Sequence, residues 1–361
     1  MAAFGRPASP LKPMKLVMTL RARDEADIVD AQIAFHLNAG VDFIVATDHR
    51  SQDGTTEILE AYAAQGHLHL IREEEEEMRE GEWASRMARI AAAEFGADWV
   101  INADADEFWW PRGGSLKEVL ASVPERYGVV RALLRQFVPR PNGDFFAERM
   151  TVRVSGSAPI NDPTSLFRPN LKAIHRGDSA VSLSAGGHTL LDSRLVPMRG
   201  WYPVEFFHFP LRSFEQFDRK YANLRAALGK SRNAYYDDVQ RAREAGRLGE
   251  FYDSLTIDDD AVEQGLGDGS LVVDTRLRDA LRAIRSDGGL VLDAGLSFPQ
   301  PTVVDEAAYA VDVAALGEAD IIRLQRRLDE LEPRLLALER EPSVRALRKL
   351  RRAARTLRRR A

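Results

Sequence analysis

Asp104, Asp106 and Glu107 crowd three carboxylates into the stretch Asp104-Ala105-Asp106-Glu107. Carboxylates this close repel one another. A hard divalent cation with oxygen ligands, Mg2+ or Mn2+, supplies counter-charge and can bridge to phosphates. Acidic triplets are common on solvated turns, but this one follows the apolar run Trp99-Val100-Ile101 and precedes Phe108-Trp109-Trp110. That context predicts a buried strand with carboxylates at its C-terminal end, the edge at which open α/β sheets bind ligands.

The elements that must position this cluster precede it. Lys15 to Leu20 reads as a strand running into the charged turn Arg21-Ala22-Arg23-Asp24-Glu25. Helical spacing covers Asp27 to Ala39, stopped by Gly40, and Val41 to Thr47 is a second strand. The turn Asp48 to Thr55 follows, with Thr55 or Thr56 placed to cap a helix over Glu57 to Gln65. His67 to Ile71 is a third strand, Glu73 to Glu77 a solvated acidic loop, and Trp83 to Phe95 a helix ended by Gly96. This β-α-β-α-β order with short links predicts a mostly parallel sheet flanked by helices. Three polar strand ends on one edge then form a cleft.

Past residue 115 the spacing predicts a helix over Ser115 to Val123 and a strand over Gly128 to Leu134. Residues 201–209 are the most aromatic stretch, and Ser213 can cap a helix reaching about Leu228. Gly229 to Pro301 is mostly helical and charged. Ile321, Leu324, Leu328, Leu331, Leu335 and Leu338 alternate steps of three and four, a heptad seam suited to a homo-oligomer, and Pro333 predicts a kink or break in it. Val344 to Arg360 is a basic amphipathic helix that suits either an anionic membrane surface or packing on protein. The domains are therefore read as a disordered leader (1–13), an α/β domain (14–228), a helical extension (229–318) and a heptad-containing basic tail (319–361).

The 361 residues are 45% hydrophobic and 29% charged, an ordinary globular balance, and a net charge of −5 gives no pull toward nucleic acid. With no cysteine, disulfides, thiolate nucleophiles and cysteine-zinc sites are excluded. No apolar run is long enough to span a bilayer. The expected location is cytoplasmic, with peripheral contact at the inner face of the cell membrane through the tail.

Taken in order, these motifs resemble the GT-A glycosyltransferases, in particular their family 2-like and family 92-like branch. Arg23-Asp24-Glu25 resembles the family's Arg-Asn-Glu, with Asp in place of Asn. Phe35-His36-Leu37-Asn38-Ala39-Gly40-Val41-Asp42 is similar to its His-Leu-x-x-Gly-Val-Asp. Asp48-x-x-Ser51-x-Asp53-Gly54-Thr55 and Asp104-Ala105-Asp106-Glu107-Phe108 match two further motifs, and His208 to Ser213 with Lys220 resembles a later one. The resemblance covers about residues 14 to 225 and is silent on 230–361.

The resemblance implies a metal-dependent transferase moving a sugar from a nucleotide-diphosphate donor, UDP before GDP, to a glycan or lipid-linked acceptor in a cell-envelope pathway. Mn2+ or Mg2+ would neutralise the leaving diphosphate. Asp106 is the implied direct ligand, Asp104 reaches ribose or metal, and a histidine completes the shell: His188 is preferred because Gly186 and Gly187 would let the backbone bring it close, with His208 as its rival. Arg23, Glu25, Asp48 and Asp53 would line the nucleotide pocket, although Asp48 and Asp53 equally suit turn chemistry. Lys172, Arg176 and Arg212 could meet the diphosphate. Trp109 and Trp110 could stack on a sugar or fill the core. An inverting transfer needs a carboxylate base. Asp162, Asp178, Asp192, Glu205 and Glu107 are on offer, and Glu205 is preferred because aromatic burial would raise its pKa. A retaining course stays open. Two rivals are a catalytically silent sugar-binding or scaffold protein acting through the C-terminal helices, and a sugar-phosphate nucleotidyltransferase. The latter lacks the expected glycine-rich loop after the first strand.

Overall fold

The computed structural model of the chain describes residues 13–141, 145–156, 171–191, 193–228 and 234–340. The basic segment Val344 to Arg360, Asp162, Asp192 and the leader up to residue 12 lie outside the described residues. The chain divides into two compact units, residues 1–308 and 309–361.

In the first unit, β1 (Leu16–Ala22), α1 (Val29–Asn38), β2 (Phe43–His49), α2 (Thr55–Ala64), β3 (Leu68–Glu73), α3 (Glu80–Ala93) and β4 (Trp99–Asp104) alternate as expected. β5 (Glu107–Pro111), α4 (Leu116–Ala121), β6 (Val129–Gln136), β7 (Leu171–Arg176), β8 (Val204–His208) and α5 (Phe214–Leu228) follow. Eight strands form one sheet in the order β3-β2-β1-β4-β7-β6-β8-β5. The first four are parallel, β7 runs antiparallel to both its neighbours, β8 is parallel to β6, and β5 is antiparallel to β8.

Strand alternation sorts the side chains onto two faces. Leu16, Met18, Leu20, Trp99 and Ile101 join the core that contains Phe35 of α1, while Val17, Val45 and Val100 join Met87, Ala88 and Ala91 of α3. Trp109 and Trp110 are buried and stack on Phe206 and Phe207 of β8, so both tryptophans are core and neither faces a ligand. β4 and β5 are joined by two residues yet lie four places apart in the sheet. A flat sheet would separate them by about 19 Å, whereas residues 104 and 107 can be at most about 11 Å apart. The sheet must therefore curl, and the acidic cluster sits where it closes.

Two local expectations are corrected. Neither Thr55 nor Thr56 caps α2. Gly54 takes that position with φ 100°, because its left-handed turn frees both hydroxyls to bond Asp53 and Asp48. Pro333 does not break the tail helix, which runs from Val303 to Arg340. Residues 229–308 belong to the first unit. Val152–Val154 pairs with Leu271–Val273, and Leu277, Leu281 and Ile284 enter the large core.

His36 locks α1 to β5. It lies opposite two partners, the Gln32 carbonyl at Nδ1 and the donating Trp109 N–H at Nε2. Nδ1 therefore carries the proton, and a second proton on Nε2 would face an N–H. Burial lowers the pKa of His36 to about 4, and does the same to His175 on β7. The unfolded chain takes up these protons near pH 6.5 and the folded chain only near 4, so stability falls as pH drops through that window. The full loss is about 3 kcal/mol per histidine. Urea denaturation at about pH 7 and about pH 4.5 measures this decline, and His36→Gln should remove its share of the slope.

Candidate metal and nucleotide site

Sheet register brings the site residues together. Arg21 pairs in register with Asp104, and Ala22 with Asp48, so the ends of β1, β2 and β4 share one edge. Glu107 lies directly opposite His208 in the β5–β8 pair, on the same face, while Glu205 opposes Trp110 on the other. The N–H of Phe209 donates to the Asp106 carbonyl at 2.9 Å, which pins the Ala105-Asp106 turn against the end of β8.

Asp106, Glu107 and His208 each place a ligand atom within 4.8 Å of the others. His208 Nε2 lies 3.6 Å from Asp106 Oδ2, and its Nδ1 is 2.9 Å from Gln136 Oε1, which fixes the ring. Two carboxylate oxygens and one imidazole suit Mn2+ best among hard divalent ions. His188 is not in this group. Its Nδ1 faces the Leu171 carbonyl at 3.2 Å, and burial followed by Lys172 lowers its pKa.

The protein supplies its own counter-charges. Lys220 of α5 donates to Asp106 Oδ2 at 2.9 Å, Arg21 bonds Asp104 at 2.8 Å, and Lys172 bonds both Asp104 and Glu107 at 2.7 Å. Burial pushes the Asp104 pKa up, but Arg21 and Lys172 outweigh it and hold the group at about 2. Burial likewise opposes, and Lys220 then His208 override, a shift that leaves Asp106 well below the usual carboxylate range. Glu107 goes the other way, to about 7, because burial and the neighbouring Asp104 exceed the help from Lys172.

The turns after β1 and β2 are stitched into one surface. Asp24 adopts φ 53°, a left-handed conformation that Asp and Asn tolerate, so Asp fits where the family motif has Asn. Its carboxylate accepts from the Gln52 N–H at 2.7 Å and the Asn223 amide at 2.5 Å. Asp53 accepts from the Ala26 N–H and the Thr55 hydroxyl. Both oxygens of Asp48 are engaged within its own loop, by the Ser51 and Thr56 hydroxyls at 2.5 Å each. Arg23 lies 3.2 Å from His49 Nδ1 and donates to Asn223 at 3.3 Å. Arg212, 1% exposed, ion-pairs with Glu25 and Asp27 and thereby ties the first turn to the chain after β8. Burial raises the Glu25 pKa to about 7 against the pull of Arg212.

Two expected site residues lie elsewhere. Arg176 pairs in register with Trp99, at the opposite end of β4. Its guanidinium sits 4.6 Å over the Trp99 ring and donates to the Tyr127 carbonyl, a structural role. Glu205 was expected to carry a raised pKa in an aromatic setting. It is buried, but Arg135, Arg276 and Arg112 surround it at 2.7–3.0 Å. Burial would raise its pKa, and the three arginines override that and hold it far below the usual range. It is a structural anion on the far face and cannot serve as the base. Asp178 accepts from the Ala180 N–H within a turn.

Arg21, Gln136 and Asn223 complete the site without having been singled out for it, and Lys220, the closing residue of the last resembling motif, joins them through Asp106. Arg21 had only its place in the charged turn after the first strand, and the β1–β4 register sets it beside Asp104. Gln136 and Asn223 had no signal, because their partners come from 72 and 199 residues away.

The model for glycosyltransferase family 92 matches residues 19–140, the stretch from β1 past β6. The curled sheet with its flanking helices is the α/β architecture that the resemblance implied, and the matched stretch makes the protein a glycosyltransferase. The resemblance to the family 92-like branch is borne out over that stretch. No curated protein sequence matches the chain. Among solved structures it is similar to S. aureus TarS 1-349 in complex with UDP, with 16% identity over 84% of this chain and 89% of that one and a TM-score of 0.32. The same protein in complex with UDP-GlcNAc shares 14% identity over 66% and 73%, with a TM-score of 0.34. Glucosyl-3-phosphoglycerate synthase from Mycobacterium tuberculosis, in complex with Mn2+, UDP and glucosyl-3-phosphoglycerate, shares 16% over 38% and 51%, with a TM-score of 0.24. Likeness this shallow transfers no substrate.

Glu205→Gln leaves three arginines around a neutral amide. The expected loss is about 3–5 kcal/mol, read as a lower denaturation midpoint.

Proposed function

We propose that this glycosyltransferase uses a nucleotide-diphosphate sugar and a divalent cation held by Asp106, Glu107 and His208. The observation that carries the reading is the convergence of these three ligand atoms at the C-terminal edge of the sheet, beside the stitched turns after β1 and β2. When bound, the cation would stabilise the charge that develops on a departing diphosphate. Lys220 and Lys172 are placed to meet the same phosphates once the cation takes over Asp106 and Glu107. The loops carrying Arg23, Asp24, Asp48 and Asp53 would hold the nucleoside, with Asp48 and Asp53 shaping the loops. Asp104 is committed to Arg21 and Lys172 and acts by orienting Lys172. Glu107 serves the cation set, so the base of an inverting transfer is left unassigned. A glycan or lipid-linked acceptor is carried forward from the motif resemblance. No described helix is long and apolar enough to cross a membrane.

Isothermal titration of UDP and of GDP, with Mn2+ and with EDTA, tests this reading. Metal-dependent binding of one nucleotide is expected, lost in Asp106→Ala. Absence of binding by either nucleotide in every metal condition would overturn it. Lys220→Met removes the ammonium that competes for Asp106 Oδ2, so Mn2+ should bind about 10-fold tighter while nucleotide binding weakens.

A further inference from the structure

The apolar seam of the tail helix is the strongest feature that the transferase reading leaves unused. Ile321, Leu324, Leu328, Leu331, Leu335 and Leu338 lie on one face of the helix and are 44–66% exposed. Steps of three and four give Ile321, Leu328 and Leu335 the a positions of a heptad and Leu324, Leu331 and Leu338 the d positions. The flanking positions then carry charge of opposite sign. Arg327 and Arg334 occupy g, and Glu332 occupies e.

From this pattern we propose that the tail helix pairs with a second copy of the chain as a parallel, in-register two-stranded coiled coil. In that arrangement each g residue faces the e residue five positions later on the partner helix. Arg327 meets Glu332 of the other copy, in both directions across the dimer. An antiparallel pair would instead set g against g and e against e, which places arginine against arginine and glutamate against glutamate. The charges therefore select the orientation, and the leucines supply the attraction. Pro333 falls at f, the position farthest from the seam. There its missing N–H removes one hydrogen bond on the outer face and leaves the seam intact, in keeping with a helix that continues to Arg340.

The full chain contains no cysteine, so single cysteines report orientation cleanly. Leu324→Cys, at d near one end of the seam, should form an inter-chain disulfide under mild oxidation, because an antiparallel pair would hold the two cysteines about 16 Å apart. Asp329→Cys, on the outer face, should not. Sedimentation should show a concentration-dependent dimer. Leu328→Glu should weaken it by about 100-fold by burying a charge in the seam. Arg327→Glu should weaken it about 10-fold, and adding Glu332→Arg should restore it. Circular dichroism checks that each variant keeps its helix. A chain that stays monomeric at every concentration overturns the proposal, even if it binds lipid vesicles. So does a dimer in which Leu324→Cys cross-links no better than Asp329→Cys.

Discussion

The site hangs on a connection of two residues. Ala105 and Asp106 join strands that stand four places apart in one sheet, and so short a link can be made only if the sheet curls. The curl carries the end of β8 over the end of β4. It sets His208 opposite Glu107 and lets the Phe209 N–H hold the Asp106 carbonyl. Aromatic pairs on both faces of the β5–β8 ladder, Trp109 on Phe206 and Trp110 on Phe207, stabilise the curl, since each stacked pair adds to its apolar burial. His36 then fastens α1 to the same strand. The ligand geometry is thus a consequence of packing in the core.

Charge balance is the second organising fact. Three clustered carboxylates call for counter-charge, and the protein answers with Arg21, Lys172 and Lys220. A buried carboxylate without a partner would cost several kcal/mol, so the protonated amines keep the metal-free site intact. Lys220 shares the Asp106 oxygen nearest His208, so a divalent ion must compete with it there. On the proposed reading, the higher charge of the ion would favour exchange and would free the ammonium for a donor phosphate. On the far face, Glu205 among three arginines solves the opposite problem: one buried anion lets several buried cations coexist.

The parallel half of the fold was legible because its signals are local. Apolar runs of strand length alternate with helical spacing, and polar turns mark three strand ends. The Asp104 to Phe108 motif and the stitched turns could be read the same way. The second half was not. The order in which β5 to β8 join the sheet is decided by curl and by aromatic stacking, which no local periodicity records. Glu205 shows the cost: an aromatic neighbourhood suggested a raised pKa, while the arginines that lower it come from 71 and 93 residues away. Arg176 was misplaced because its residue type suits phosphate, yet its register sets it at the wrong end of β4. His188 was preferred to His208 on its flanking glycines, and that preference failed because the β5–β8 pairing that sets His208 beside Glu107 leaves no local trace. Pro333 failed as a helix breaker, since the helix continues through it from Val303 to Arg340.

The central claim is that Asp106, Glu107 and His208 form one cation site. Pulsed electron paramagnetic resonance of the protein with one equivalent of Mn2+ addresses it directly. The account predicts a bound ion with hyperfine coupling to one imidazole nitrogen, the coupling lost in His208→Ala and unchanged in His188→Ala. Mn2+ that stays free in solution, or a nitrogen coupling that survives in His208→Ala, would contradict it.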